Sequence, residues 1–171
     1  KVFPVAGTAV MAVGFVLLST MDANTPLLQQ SAYLFILGSG IGLCMQVLIL
    51  IVQSTANFSD LGVATSGVTF FRTIGSSFGA AIFGSLFVNF LESRIGGALA
   101  AGGAPPEAAE SPQVLHQLPT EVAAPIVEAY ADSLGMVFLC AAPVALIGFV
   151  VALMLKEVPL QEMDPMAAVD M

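Results

Sequence analysis

Charge is scarce in this sequence. Only 9% of its 171 residues are charged, against about 25% in an ordinary soluble domain, and just four are Lys or Arg, with one His. Twelve acids then leave a net charge of −8, which excludes nucleic-acid binding through a basic surface. So few charges also exclude an exterior that faces water throughout, since 57% of the residues are hydrophobic and the mean hydropathy is +0.95.

Reactive groupings are equally scarce. No His, Cys, Asp and Glu residues fall at metal-ligand spacing, no glycine-rich loop runs into Lys-Ser or Lys-Thr, and no Ser/His/Asp or Cys/His arrangement lies within reach. An enzyme is not expected, nor a metal or an organic cofactor. Cys44 and Cys140 both fall inside apolar blocks, where a thiol is expected as a small packing residue rather than half of a disulfide. The first residue is Lys1, and an apolar block starts at Val2 without a charged leader or a small-residue cleavage site. A signal peptide is therefore not expected, and the stretch reads as one fragment of a longer polypeptide with further helices upstream.

What the sequence does have is long apolar runs. About 20 residues span the roughly 30 Å of bilayer hydrocarbon at about 1.5 Å each, and four runs qualify, at about 2–20, 31–52, 62–91 and 134–155. Asp22 and the pair Thr25-Pro26 make the first connection short and polar, and Gln53-Ser54-Thr55-Ala56-Asn57 favours a turn after the second run. The third run is longer than it needs to be, which predicts tilt or extension past the bilayer. The stretch 92–133 reads as a loop: 96–112 has a linker's composition, and 120–131 is predicted as a short surface helix capped by Thr120. Pro143 near the centre of the last run predicts a kink. Lys1 and Lys156 fall on one side of four crossings and Arg94 on the other, so the basic-residue rule puts both ends in the cytoplasm. The loop 92–133 is then external and 156–171 an acidic cytoplasmic tail.

Two stripes stand out within these runs. In the second, Ser39, Gly42, Gln46 and Gln53 fall within about 60° of one another on a helix. Such a stripe suits close helix packing through Gly38-x-x-x-Gly42, with the amides as interhelical glue, and equally suits one wall of a polar cavity. In the third, Arg72 lies about ten residues, or about 15 Å, inside the helix. Arginine at mid-membrane costs roughly 2.5–3.5 kcal/mol on insertion scales, so three roles stay open for it: an architectural partner of carbonyls or of a carboxylate, a transport-path residue, or a snorkelling side chain. Thr65, Thr69, Ser76 and Gly79 share its face, and Gly75-Ser76-Ser77-Phe78-Gly79 supplies a small-residue surface beside it. Asp60 is expected as a helix cap. Glu92, Arg94, Tyr33 and Tyr130 are expected near interfaces, and His116 as a solvated loop residue. No span holds a carboxylate near its middle, so a proton carrier would lie elsewhere in the polypeptide.

The order Gly38-Ser39-Gly40-Ile41-Gly42-Leu43-Cys44-Met45-Gln46, Val52-Gln53, Leu61-Gly62-Val63-Ala64-Thr65-Ser66-Gly67 and Phe70-Phe71-Arg72-Thr73-Ile74-Gly75-Ser76-Ser77-Phe78-Gly79 resembles the fourteen-helix drug:proton antiporter branch of the major facilitator superfamily. The resemblance covers 38–91. The chain has Ser54 where the pattern often has Asn, and Gly75-Ser76-Ser77 where it often has Gly-Gly-Ser. It implies an all-α, polytopic membrane protein whose four spans are the last four of a C-terminal half. It also implies alternating access in the plasma membrane, with amphipathic, often cationic, small molecules exported at the expense of a proton gradient. Gln46, Gln53, Thr69, Arg72 and Ser76 are the candidate path residues, and Gly38, Gly42, Gly75 and Gly79 the candidate packing residues. The expected partners are membrane lipid, the upstream helices and the transported molecule. A non-transporting four-helix membrane scaffold is the other reading these residues allow.

Overall fold

Backbone amides in lipid have no water to bond, so an apolar run satisfies them within itself as a helix. In the computed structural model, which describes residues 2–109 and 112–154, the runs form α1 (Val2–Ser19), α2 (Leu27–Thr55), α3 (Leu61–Gly102) and α5 (Thr120–Met154), with the short α4 (Pro112–Gln117) before the last. The 3-10 turns Phe58–Asp60 and Pro106–Ala109 complete the order, and no strand occurs among the described residues. α1, α2, α3 and α5 are each long and apolar enough to cross a membrane. Lys1, Leu155 and the tail expected at 156–171 lie outside the described residues, and with them two of the three charges used to orient the chain.

The first connection is short and polar as expected. Asp22 Oδ1 accepts from the Asn24 amide at 2.9 Å and the Thr25 hydroxyl at 3.0 Å, while Thr25 Oγ1 accepts from the Asp22 amide at 2.9 Å. Pro26, with φ −59° and ψ 142°, then opens α2, and its carbonyl accepts from the Gln30 amide at 3.1 Å. Proline suits this place because its φ is fixed and no first-turn partner is needed for a missing N–H. At the other end Gln53, Ser54 and Thr55 belong to the last turn of α2 rather than to the loop: the Ser54 and Thr55 hydroxyls donate to the Ile51 carbonyl at 3.0 and 2.7 Å.

The stretch 92–133 is mostly helix, which corrects its reading as a loop. α3 continues to Gly102, through the first part of the supposed linker, because Ala98, Leu99, Ala100 and Ala101 are strong helix formers with a surface to pack on. It stops at Gly103, whose φ of +63° only glycine adopts without strain, and the Ala104 amide returns to the Leu99 carbonyl at 3.1 Å. His116 lies in α4, not in a flexible loop. The surface helix expected at 120–131 is continuous with the last span, since nothing between Ala131 and Leu134 breaks a helix. Its first amides, Val122 and Ala123, both reach the Pro119 carbonyl at 3.0 Å, so Pro119 holds the boundary assigned to Thr120.

α1 lies between α2 and α5 and packs closely on both, and α5 also carries α3, whereas α2 and α3 barely meet. The α1–α2 seam is held close by Gly7, Gly14 and Gly40, with Cys44 buried against the Pro4 carbonyl at 3.6 Å. Both cysteines are free thiols. Between α1 and α5, Phe15 stacks on Phe138 with centroids 6.4 Å apart. Beyond the spans, Ala98, Ala108, Ile126 and Ala129 form a small core that joins the ends of α3 and α5 to the segment between them. Tyr130, expected at an interface, packs against this core and against Phe87, centroids 6.1 Å apart.

Candidate functional site

α2 is a helix with three different faces. Leu37, Gly40 and Cys44 lie within about 60° and meet α1. Met45, Leu48, Ile49 and Val52 turn toward α3. Gln46 and Gln53 point about 160° from the first group and about 100° from the second, and both are exposed. The amides are thus turned away from the rest of the described chain. Gly38 and Gly42 sit on the side opposite Gly40, and a Cβ built on either meets nothing within 4 Å. The close approach expected of Gly38 and Gly42 is made instead by Gly40, which lies midway between them in the chain.

On α3, Thr69, Arg72 and Ser76 come to one side, about 60° wide. Thr69 and Arg72 line a pocket of about 420 Å³ with Met45, Leu48, Ile49, Val52, Val68 and Phe71. Ser76 and Gly75 line a neighbouring cavity of about 560 Å³ that Thr8, Met11, Ile41, Phe83 and Ala141 also border. Gly75 and Gly79, like Gly38 and Gly42, have open space around them. The structure therefore gathers Thr69, Arg72 and Ser76 and leaves Gln46 and Gln53 apart from them.

The hydroxyls are already engaged with their own helix. Thr69 Oγ1 donates to the Thr65 carbonyl at 3.1 Å and Ser76 Oγ to the Thr73 carbonyl at 2.9 Å, while Ser39 Oγ donates to Ile36 at 2.8 Å. Arg72 is exposed and donates from Nη1 to Met45 Sδ at 3.8 Å, a weak acceptor for a strong donor. α3 starts at Leu61, so Arg72 stands eleven residues, or about 16 Å, along it. Asp60 occupies the N-cap position of α3 but makes no side-chain capping bond there. Nothing in the sequence signals Met45 as a neighbour of Arg72: it falls on no polar stripe and lies 27 positions away. No group of His, Cys, Asp and Glu among the described residues is placed to hold a metal.

Proteins from two strains of Mycobacterium tuberculosis, each an MFS-type transporter, are 64% identical to this chain over 162 residues, 95% of it. The chain belongs to the major facilitator superfamily. It spans about a quarter of the length of those relatives, 24% of each. Multidrug transporter protein MdtP of Bacillus subtilis is 42% identical over 82 residues, 48% of this chain and 15% of that protein. MFS efflux transporter aclA of Aspergillus oryzae is 30% identical over 164 residues, 91% of the chain and 29% of the relative. No family model and no solved structure matches the chain. Its four apolar helices and these superfamily relatives make it part of an all-α, multi-pass membrane protein, and each relative is named as a transporter rather than as an enzyme.

Proposed function

We propose that this chain is one part of a proton-coupled secondary transporter of the plasma membrane, which exports amphipathic small molecules by alternating access. The observation that carries the reading is the 64% identity over 95% of the chain to MFS-type transporters; the multidrug and efflux names of two further relatives favour export of foreign or toxic molecules. The four helices are the last four of the C-terminal half, with both ends in the cytoplasm and the α3–α5 connection outside. The remaining helices of the longer polypeptide cover the open glycine faces at Gly38, Gly42, Gly75 and Gly79, as small residues in a membrane invite close backbone approach. Thr69, Arg72 and Ser76 form part of the wall on α3, and Gln46 and Gln53 form part of it on α2. The acids of the described spans, Glu92, Glu121, Glu128 and Asp132, all lie outside the apolar runs 62–91 and 134–155, so the proton carrier belongs to the rest of the polypeptide.

Everted membrane vesicles that contain the full-length protein are expected to take up an amphipathic fluorescent dye when their interior is acidified, and to release it when a protonophore collapses the gradient. Uptake that ignores the protonophore would remove proton coupling, and absence of uptake for a panel of dyes would return the four-helix scaffold to first place.

A further inference from the structure

The pocket between α2 and α3 has walls of one kind and a single group of another. Met45, Leu48 and Val52 on one side and Phe71 on the other are apolar, and the Thr69 hydroxyl is spent on the Thr65 carbonyl. What remains is the Arg72 guanidinium, a permanent charge with five N–H donors, whose hydrogen bond is to a thioether at 3.8 Å.

Among the described residues no acid stands near it along α3. The described acids lie at Asp22, Asp60, Glu92, Glu107, Glu121, Glu128 and Asp132. Along the axis of α3 the acids to either side are Asp60, at its N-cap position twelve residues before Arg72, and Glu92, twenty after it, or about 18 and 30 Å away. A guanidinium in a low-dielectric setting without an anion is costly, and pairing relieves that cost.

We infer that this pocket binds amphipathic anions, with a carboxylate or sulfonate on the Arg72 guanidinium and an apolar body laid between Met45 and Phe71. The volume of about 420 Å³ falls in the range of small-molecule sites, about 300–1,000 Å³. A lipid phosphate is a poor source of the anion, because Arg72 sits about 16 Å into the helix, near the middle of about 30 Å of hydrocarbon. A cationic molecule meets repulsion from Arg72, the one charged side chain among the described residues that line the pocket. The inference narrows the substrate class of the transport reading and rests on it for its cellular role; binding is measured without a gradient, so the two fail separately.

The test uses the full-length protein in lipid nanodiscs, with fluorescence corrected for empty discs. The probes are 8-anilinonaphthalene-1-sulfonate and its uncharged counterpart N-phenyl-1-naphthylamine, which share the same rings. Arg72→Gln is expected to weaken binding of the sulfonate about tenfold, the scale of one lost charge-assisted hydrogen bond, and to leave the neutral probe within about twofold. Arg72→Lys keeps most of the sulfonate affinity, because the charge survives without the fork. Sulfonate binding unchanged in Arg72→Gln overturns the inference, with the anion then supplied by the polypeptide itself. Equal loss of both probes overturns it too, because Arg72 would then hold the pocket's shape rather than read a charge.

Discussion

Gly40→Leu is expected to open the α1–α2 seam and to leave little of the full-length protein monodisperse after purification. A Cβ at Gly40 would stand 2.8 Å from the Met11 amide nitrogen and 2.9 Å from the Gly7 carbonyl oxygen. Both are backbone atoms, so the clash is relieved only by moving one helix axis away from the other. The seam is tight from the other side as well: a Cβ at Gly7 would meet the Gly40 carbonyl oxygen at 2.9 Å, and one at Gly14 the Leu37 Cα at 3.0 Å. Overpacking of a core costs typically about 1–3 kcal/mol and more when backbone must shift, which puts Gly40→Leu at or above the upper end. Membranes make this worse, because helices there associate through packing rather than through expulsion of water. The series Gly40→Ala, Gly40→Val, Gly40→Leu should lower the temperature at which the purified protein loses its monodisperse peak, in order of side-chain size. A Gly40→Leu protein that melts with the native one would mean that α1 and α2 do not pack as described.

That seam also shows how far the sequence could be read. The four spans were legible because uninterrupted hydrophobic runs of membrane length rarely occur in chains that fold in water, and the superfamily was legible in the motifs from Gly38 to Gly79. Which side of α2 meets a neighbour was not. Gly38, Gly40 and Gly42 put small residues on opposite sides of one helix, and a period of 3.6 reports faces without saying what lies across from them. The helix ends were misjudged for a different reason: a search for apolar runs stops where hydropathy falls, whereas α3 continues through Ala98–Ala101 and α5 begins as far back as Thr120, on helix propensity and on a core beyond the spans. Arg72 stands out in the sequence as a residue that must find company, but its neighbour Met45 lies on another helix and looks in sequence like any other apolar residue of a span.

Ile126→Ala is expected to release the segment between α3 and α5 while leaving the spans in place. Ile126 is fully buried, at 0% exposure, although it precedes the apolar run of α5 by eight residues. It fills the centre of the core with Ala98, Ala108 and Ala129, and Leu99, Leu115 and Leu118 pack around it. Two helix ends are drawn together here: a Cβ on Gly102 would lie 2.6 Å from the Val122 carbonyl oxygen, so α3 and α5 touch backbone to backbone beside the core. Because the other buried members are alanines, Ile126 supplies most of the apolar volume, and neighbours tied into two long helices have little freedom to collapse on a void. Removing a buried isoleucine down to alanine costs about 2–5 kcal/mol. Spread over so small a unit, that is most of what holds it down, and the loss should be local. Amide hydrogen exchange in α4 and in the Pro106–Ala109 turn is expected to rise about thirtyfold or more, the lower bound of that cost as an opening equilibrium, with exchange in α1 and α2 unchanged. Unaltered exchange in α4 would show that the segment is held by something other than this core; faster exchange throughout would show that the ends of α3 and α5 carry the stability of the spans as well.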